Sequence, residues 1–284
     1  MKIIECPRDA MQGIHDFIPT DRKIAYINQL LKIGFDTIDF GSFVSPKAIP
    51  QLRDTAEVLS KLELSARSTK LLAIVANTRG AQDALMHDEI HYLGFPLSIS
   101  ETFQQRNTNK SIAEALNTVN ELQELCSAKR KTLVTYISMG FGNPYGDPYD
   151  VGVVEQFADI LASIGVSIIS LADTIGVSKP DQIHYLFTTL AKKFPTIEFG
   201  AHLHSNPATA REKIQAAFES GCKRFDGAMR GWGGCPMAED ELVGNLATET
   251  ILDYLDSKGS APPLNRTELQ EAMFMADSIF SQYR

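Results

Sequence analysis

The sequence predicts an α/β chain folded as a (β/α)8 TIM barrel with a C-terminal extra helix. Three observations predict it: eight short β-branched runs, helix-patterned segments alternating with them, and a length of 284 residues, which suits one such barrel. A doubly wound open sheet competes. It usually needs fewer units, and no GxGxxG follows the first strand. The chain 1–284 therefore reads as a single domain, without an internal linker or low-complexity stretch.

Residues 2–6 form the first candidate strand, followed by an amphipathic stretch at 21–33 whose start is marked by Thr20. Strand two (37–40) leads to a helix at 53–62, and strand three (70–75) to a short helix at 82–87. Strand four covers 89–95 and extends to 100, before the long helical pattern 111–128. Strand five (132–138) precedes helix 151–164, and strand six (167–172) precedes helix 180–193, with Ser178 and Pro180 marking its start. Strand seven (198–204) is followed by helix 208–220, and strand eight (224–226) by helix 241–257. A last helical pattern, 266–283, follows Pro262-Pro263 and is expected to cap one end of the barrel or to pack on a partner subunit.

Composition excludes several function classes. Hydrophobic residues at 44% and charged residues at 22% are those of an ordinary globular protein. A net charge of −8 without a basic run argues against nucleic acid as a partner. The longest apolar stretches, 71–76 and 165–172, are too short for a bilayer. Glu5 and Cys6 fall where a signal peptide would still be apolar, so no secretory leader is expected. Cys6, Cys126, Cys222 and Cys235 have no CxxC spacing, which fits a reducing cytoplasm.

Barrel enzymes carry their chemistry where strands end and βα loops begin. Here those positions hold Pro7-Arg8-Asp9, Asp39, Asp173-Thr174, His202-Leu203-His204 and Asp226, with Gly231-Trp232-Gly233-Gly234-Cys235-Pro236 beyond. His202 and His204 are two apart on a strand, hence on one face and roughly 7 Å apart at the backbone, so their imidazoles can converge on one ion. Barrel closure brings Asp9 within a few strands of them as a third ligand. Two imidazoles with oxygen ligands and no thiolate cage suit Mg, Mn or Zn. Arg8 leaves its strand in a different direction from Asp9 and can face a substrate, where a fixed guanidinium stabilises an enolate or carboxylate. Cys235 follows three glycines in four positions, which suggests a mobile lid carrying a thiol as proton donor.

Over nearly its whole length the chain resembles the hydroxymethylglutaryl-CoA lyases, within the metal-dependent lyase and aldolase barrels. The likeness is carried by Arg8-Asp9-Ala10-Met11-Gln12, Ser42-Phe43-Val44-Ser45-Pro46-Lys47 with Pro50-Gln51, Asp173-Thr174-Ile175-Gly176, His202-Leu203-His204, Gly233-Gly234-Cys235-Pro236 and Gly244-Asn245-Leu246-Ala247-Thr248-Glu249. The Gly-Gly-Cys-Pro piece separates the lyase from the related isopropylmalate and homocitrate synthases. The resemblance implies a divalent cation held by Asp9, His202, His204 and Asn245, with Arg8 stabilising an enolate and Cys235 on the active-site loop. It places Gln12, Ser42, Asp173 and Thr174 in the substrate pocket. The chain departs from the family at Asp39, where Glu is usual, at Ser205, where Asp is usual, and at Val134 or its neighbour, where strand five usually has Arg. One extra residue lies between Pro236 and Gly244.

The reaction expected from the resemblance is cleavage of 3-hydroxy-3-methylglutaryl-CoA to acetoacetate and acetyl-CoA, with Mg or Mn favoured over Zn. A histidine of the pair, Asp39 or Asp9 is expected to take the hydroxyl proton. Lys47, Arg106 and Lys110 are candidates for binding CoA, whose negative charges need local cations in an acidic protein. The alternatives are a related lyase or aldolase acting on another 3-hydroxyacyl-CoA or a 2-oxo-4-hydroxy acid, and a non-catalytic metal-binding interaction protein. The latter gives no physical reason for Arg8, Asp9, both histidines and Cys235 to share one mouth. A homo-oligomer, with a dimer favoured, is expected.

Overall fold

A computed structural model describes residues 1–64, 68–234 and 243–283. Its barrel strands are β1 (Lys2–Glu5), β2 (Thr37–Ser42), β3 (Lys70–Ile74), β4 (Ile90–Ser98), β5 (Thr132–Ser138), β6 (Ile168–Asp173), β7 (Glu198–Ser205) and β8 (Arg224–Gly227). Each pairs in parallel with the next, and β8 returns to β1 through Lys2↔Arg224 and Ile3↔Phe225, closing the cylinder. The connecting helices are α1 (Pro7–Gln12), α2 (Thr20–Leu31), α3 (Thr55–Ser60), α4 (Thr78–Ala84), α5 (Glu101–Thr108), α6 (Ile112–Ala128), α7 (Val151–Ile164), α8 (Pro180–Lys193), α9 (Ala210–Glu219), α10 (Thr248–Ser257) and α11 (Arg266–Phe280). Among the described residues, no helix is long and apolar enough to cross a membrane.

Strand alternation divides the apolar residues between two environments. Ile3, Ile38, Leu71, Leu93, Leu133, Ile169 and Phe225 face the helices and join them in one continuous core. Leu72, Ile74, Tyr92, Val134, Tyr136 and Ile168 form a second cluster inside the cylinder. Val134 thus contributes packing inside the cylinder. Deeper in the barrel, Tyr136, Ser170, Gly200 and Arg224 lie side by side on β5 to β8. Gly200 has to be small: a Cβ there would sit 3.0 Å from Arg224 Cδ and 3.2 Å from Ser170 Oγ.

Several elements differ from the sequence expectation. Pro7 opens α1 directly after β1, so Arg8 and Asp9 leave the strand on a helical turn. The segment after β4 forms α5, capped by the Ser100 side chain accepting from Phe103 N, and Asp147 accepts from Ser100 Oγ and from both Thr102 N and its hydroxyl. Thr20 lies inside α2, after Pro19, and Lys179 rather than Ser178 stands at the cap of α8. The predicted helix 241–257 begins only at Thr248, because Gly244–Asn245 forms β9, antiparallel to β7, with His204 opposite Asn245. Pairing with β7 takes up backbone groups that a helix would have used. Residues 241 and 242 lie outside the described residues.

The final helix packs on α2 and on the segment after β8, through Tyr26–Phe280 and Trp232–Phe280 ring contacts at 5.8 and 5.7 Å and an Arg230–Asp277 ion pair at 2.8 Å. The same side of the barrel holds Glu5, fully buried, which accepts from Met229 N at 2.8 Å and from the Thr248 hydroxyl. It thereby ties β1 to the chain following β8. Burial pushes the Glu5 carboxyl up to about 8, against the smaller opposing effect of these hydrogen bonds. At neutral pH the folded chain holds a proton there that the unfolded chain releases. Stability is therefore expected to fall as pH rises from the ordinary carboxyl range to about 8 and then to level. Glu5→Gln, which keeps shape and polarity, should flatten that slope in urea unfolding curves taken at pH 5, 6, 7 and 8.

Candidate active site

At the carboxyl end of the barrel lies a cavity of about 420 Å³, lined by Arg8, Asp9, Gln12, Thr174, His202 and His204 on its polar side and by Ile74, Pro96, Phe103 and Ala172 on its apolar side. Its inner polar group is built around Asp9, which is 3% exposed. Arg8 Nη1 donates to Asp9 Oδ1 at 3.1 Å, and Gln12, one helical turn further along α1, donates to the same oxygen. The other oxygen, Oδ2, makes no hydrogen bond. It faces His202 Nε2 at 3.5 Å and His204 Nε2 at 3.9 Å.

Each imidazole is oriented through its opposite nitrogen. His202 Nδ1 lies 3.2 Å from Asp226 Oδ2, and His204 Nδ1 lies 2.9 Å from the Thr174 carbonyl. The two rings tilt toward each other with centroids 5.3 Å apart, and Tyr136 packs edge-on against His202 at 5.5 Å. Three ligating atoms, Asp9 Oδ2 and the two Nε2 atoms, converge, and Asp9 Oδ2 and His204 Nε2 are buried without hydrogen bonds. Unpaired buried polar atoms are costly. A divalent cation satisfies all three, and the donor set of one carboxylate oxygen and two imidazoles fits it.

Charge points the same way. Arg8 lies between two carboxylates, donating through Nε and Nη2 to Asp39 Oδ2 at 3.0 and 2.6 Å as well as to Asp9. One guanidinium facing two acids leaves negative charge in excess, which a cation beside the imidazoles offsets. Although burial works against the charged form, Arg8 and both histidines hold the Asp9 carboxyl well below its usual range. Burial pushes Asp39 up to about 6, with Arg8 opposing. Burial likewise disfavours a charged His202, but Asp226 and Asp9 together outweigh it and raise the imidazole above its ordinary value.

Some residues singled out in the sequence stand elsewhere. Asp39 lies beneath Arg8 and does not line the cavity. Asp173 does not line it either: Val177 N and Ser178 N donate to its two oxygens at 2.9 and 3.0 Å, and Lys213 Nζ adds a bond of 2.8 Å. The short loop after β6 turns the carboxylate inward. Ser42 donates to Ile74 O at 3.2 Å and lines a second cavity beside α3 and α4. Lys47 is exposed on the loop after β2, and Lys110 Nζ is bound to Thr118 Oγ1 at 2.7 Å. Arg106 does line the cavity and lies 4.7 Å over the Tyr145 ring. Thr174 contributes its carbonyl to His204, while its hydroxyl accepts from Met139 N at 2.8 Å. Asn245 stands beside His204 through β9, with Nδ2 donating to Trp232 O at 2.9 Å, a bond that leaves Oδ1 uncommitted to it. Cys235 lies outside the described residues.

Sequence reasoning missed Lys213 and the use of Asp226. Lys213, 2% exposed, donates to Asp173 Oδ2, Gly176 O and His204 O at 2.8 to 2.9 Å and so ties the ends of β6 and β7 together. Nothing in a lysine within an amphipathic helix signals this. Asp226 was visible as a charged strand end but had no partner assigned.

Comparison with known proteins places these residues in context. The HMGL-like family model matches residues 2–275. The Bacillus subtilis hydroxymethylglutaryl-CoA lyase YngG is 35% identical over 250 residues, covering 88% of this chain and 83% of that protein. A crystal structure of the Bacillus subtilis HMG-CoA lyase superposes with a TM-score of 0.92 at 32% identity, covering 99% of this chain and 93% of the other. An Acinetobacter baumannii HMG-CoA lyase in complex with coenzyme A and 3-methylmalate gives 0.91 at 28%, covering 99% and 91%.

The Asp9 group rests on Gly233, which has φ of +84°, and a Cβ there would lie 2.4 Å from Asp9 O and 2.7 Å from Ala10 Cα. Gly233→Ala must displace α1 or strain the loop, at a cost of about 1–3 kcal/mol. It should weaken Mn2+ binding about tenfold or more in titrations followed by electron paramagnetic resonance. Gly259→Ala, at φ +62° with open space around it, should leave Mn2+ affinity unchanged.

Proposed function

Since the chain belongs to the HMGL-like family, we propose that it is a carbon–carbon lyase that cleaves 3-hydroxy-3-methylglutaryl-CoA to acetoacetate and acetyl-CoA. The observation that carries this reading is the Arg8 guanidinium, locked between Asp39 and Asp9 at the wall of a cavity that also presents two imidazoles. Asp9, His202, His204 and Asn245 would hold a divalent cation, Mg or Mn by preference, which when bound acts as a Lewis acid toward the substrate oxygens.

The chain's own groups account for the remaining requirements. Arg8 has five N–H donors. Three of them go to carboxylates, so the rest can meet the enolate oxygen released on scission, and no reorganisation is needed because two acids fix the guanidinium. Asp39 acts through Arg8. The hydroxyl proton passes to Asp9, whose Oδ2 keeps a second lone pair when it holds a cation, whereas the single free lone pair of each imidazole, on Nε2, would be given to that cation. The apolar wall of Ile74, Pro96, Phe103 and Ala172 excludes water from the enolate until a proton arrives, and Cys235 is assigned as the donor of that proton. Arg106, Asn107 and Thr108 line the cavity at the carboxyl end of α5, where the pantetheine arm and phosphates of CoA would run. The buried thiols of Cys6, Cys126 and Cys222 suit the reducing cytoplasm. An exposed Phe274 on α11 suits a homo-oligomer.

Incubation with 3-hydroxy-3-methylglutaryl-CoA and Mg2+ or Mn2+ should yield acetoacetate and acetyl-CoA in equal amounts. Arg8→Gln should lower kcat about 10²- to 10³-fold, the size expected from losing one anion-stabilising donor. Turnover of a different 3-hydroxyacyl thioester, with none of this one, would reject the substrate and keep the reaction class. Arg106→Met should raise KM several-fold with little change in kcat.

A further inference from the structure

We propose that Asp226 is a positioning residue that fixes the tautomer of His202 and so keeps its Nε2 lone pair available. The proposal rests on the reading that Asp9, His202 and His204 hold a cation. A neutral imidazole carries one ring proton, and the acceptor opposite each nitrogen decides where that proton sits. His202 has a carboxylate oxygen on both sides: Asp226 Oδ2 lies 3.2 Å from Nδ1 and Asp9 Oδ2 lies 3.5 Å from Nε2. The two acids compete for one proton. Asp226 is nearer, and with the proton on Nδ1 both Nε2 and Asp9 Oδ2 present lone pairs to the same point. Without Asp226 the proton would move to Nε2 and be donated to Asp9 Oδ2. That bond would occupy two of the three convergent donor atoms.

The two histidines differ in this respect. His204 Nδ1 faces the Thr174 carbonyl at 2.9 Å, a backbone acceptor that no side-chain substitution removes. Only the orientation of His202 depends on a side chain, and that side chain is 2% exposed on β8, a strand that contributes no ligand in the reading above. Cys6 Sγ, a His202 ring nitrogen and an Asp226 oxygen also lie within reach of one another, an arrangement that a second cation would need. Cys6 Sγ donates to Ile4 O at 3.7 Å, and His202 Nδ1 and Asp226 Oδ2 stand at hydrogen-bond distance, 3.2 Å, so the two pair directly with the thiol engaged elsewhere.

Histidine-selective 15N labelling of the metal-free protein, read by long-range 1H–15N correlation, tests the assignment together with Mn2+ titration. Read at a pH alkaline enough to leave both imidazoles neutral, wild-type His202 should carry its proton on Nδ1. Asp226→Ala should move it to Nε2 and weaken Mn2+ binding about ten- to hundredfold, while His204 keeps its tautomer as an internal control. Asp226→Leu, which fills the space without an acceptor, gives the same readout if the alanine variant does not fold. Asp226→Asn, whose amide oxygen can still accept, should restore the Nδ1 proton. An unchanged His202 tautomer in the alanine or leucine variant overturns the proposal. So does a second bound Mn2+ or Zn2+ lost alike in Asp226→Ala and Cys6→Ala. Absence of Mn2+ binding by the wild type would reject the cation reading, and the tautomer measurement would still decide the role of Asp226.

Discussion

The Asp9 carboxylate is divided between two tasks, and the rest of the site is arranged to keep them apart. One oxygen is saturated by Arg8 and Gln12, while the other is left without a hydrogen bond, facing two imidazole nitrogens. An ionised carboxylate buried this deeply persists only with positive charge beside it. Arg8 supplies part of that charge from the adjacent position and is itself held by Asp39. Binding a cation at the remaining oxygen completes the balance that the protein leaves open.

This division depends on groups outside the converging donor atoms. Asp226 and the Thr174 carbonyl orient the imidazoles from behind, and Lys213 joins the loop after β6 to the end of β7, where His204 stands. Glycines matter at the closest approaches: Gly233 lies against the Asp9 backbone, and Gly200 makes room for Arg224 below. The cavity's apolar side then sets the conditions for carbanion chemistry, since a guanidinium stabilises an enolate far better where water is excluded.

Much of this was legible before the fold was known. A two-residue spacing on a strand placed His202 and His204 on one face, and the adjacent Arg8 and Asp9 at the end of the first strand supplied an acid and a cation for the same mouth. Asp39 was legible as a carboxylate, but not as the anchor of Arg8. Asp173 misled because a charged residue at a strand's carboxyl end normally faces the mouth. Here Val177 N, Ser178 N and Lys213 capture it inside its own loop. Asn245 was reachable only through the family resemblance, because its place beside His204 comes from β9, where a helix was expected.

The sequence by itself determined the closed barrel, through the alternation of β-branched and amphipathic segments, and the identity of the donor residues at the strand ends. Those features are local, set by side-chain period and by which residue types can ligate or carry charge. Only the tertiary structure decided which oxygen of Asp9 is free, which nitrogen of each histidine faces inward, and which charged strand ends are used internally. Several of those outcomes depend on a partner tens of residues away, such as Asp226 and Thr174 for the two histidines or Lys213 for Asp173. Such a pairing exists only once the cylinder has closed.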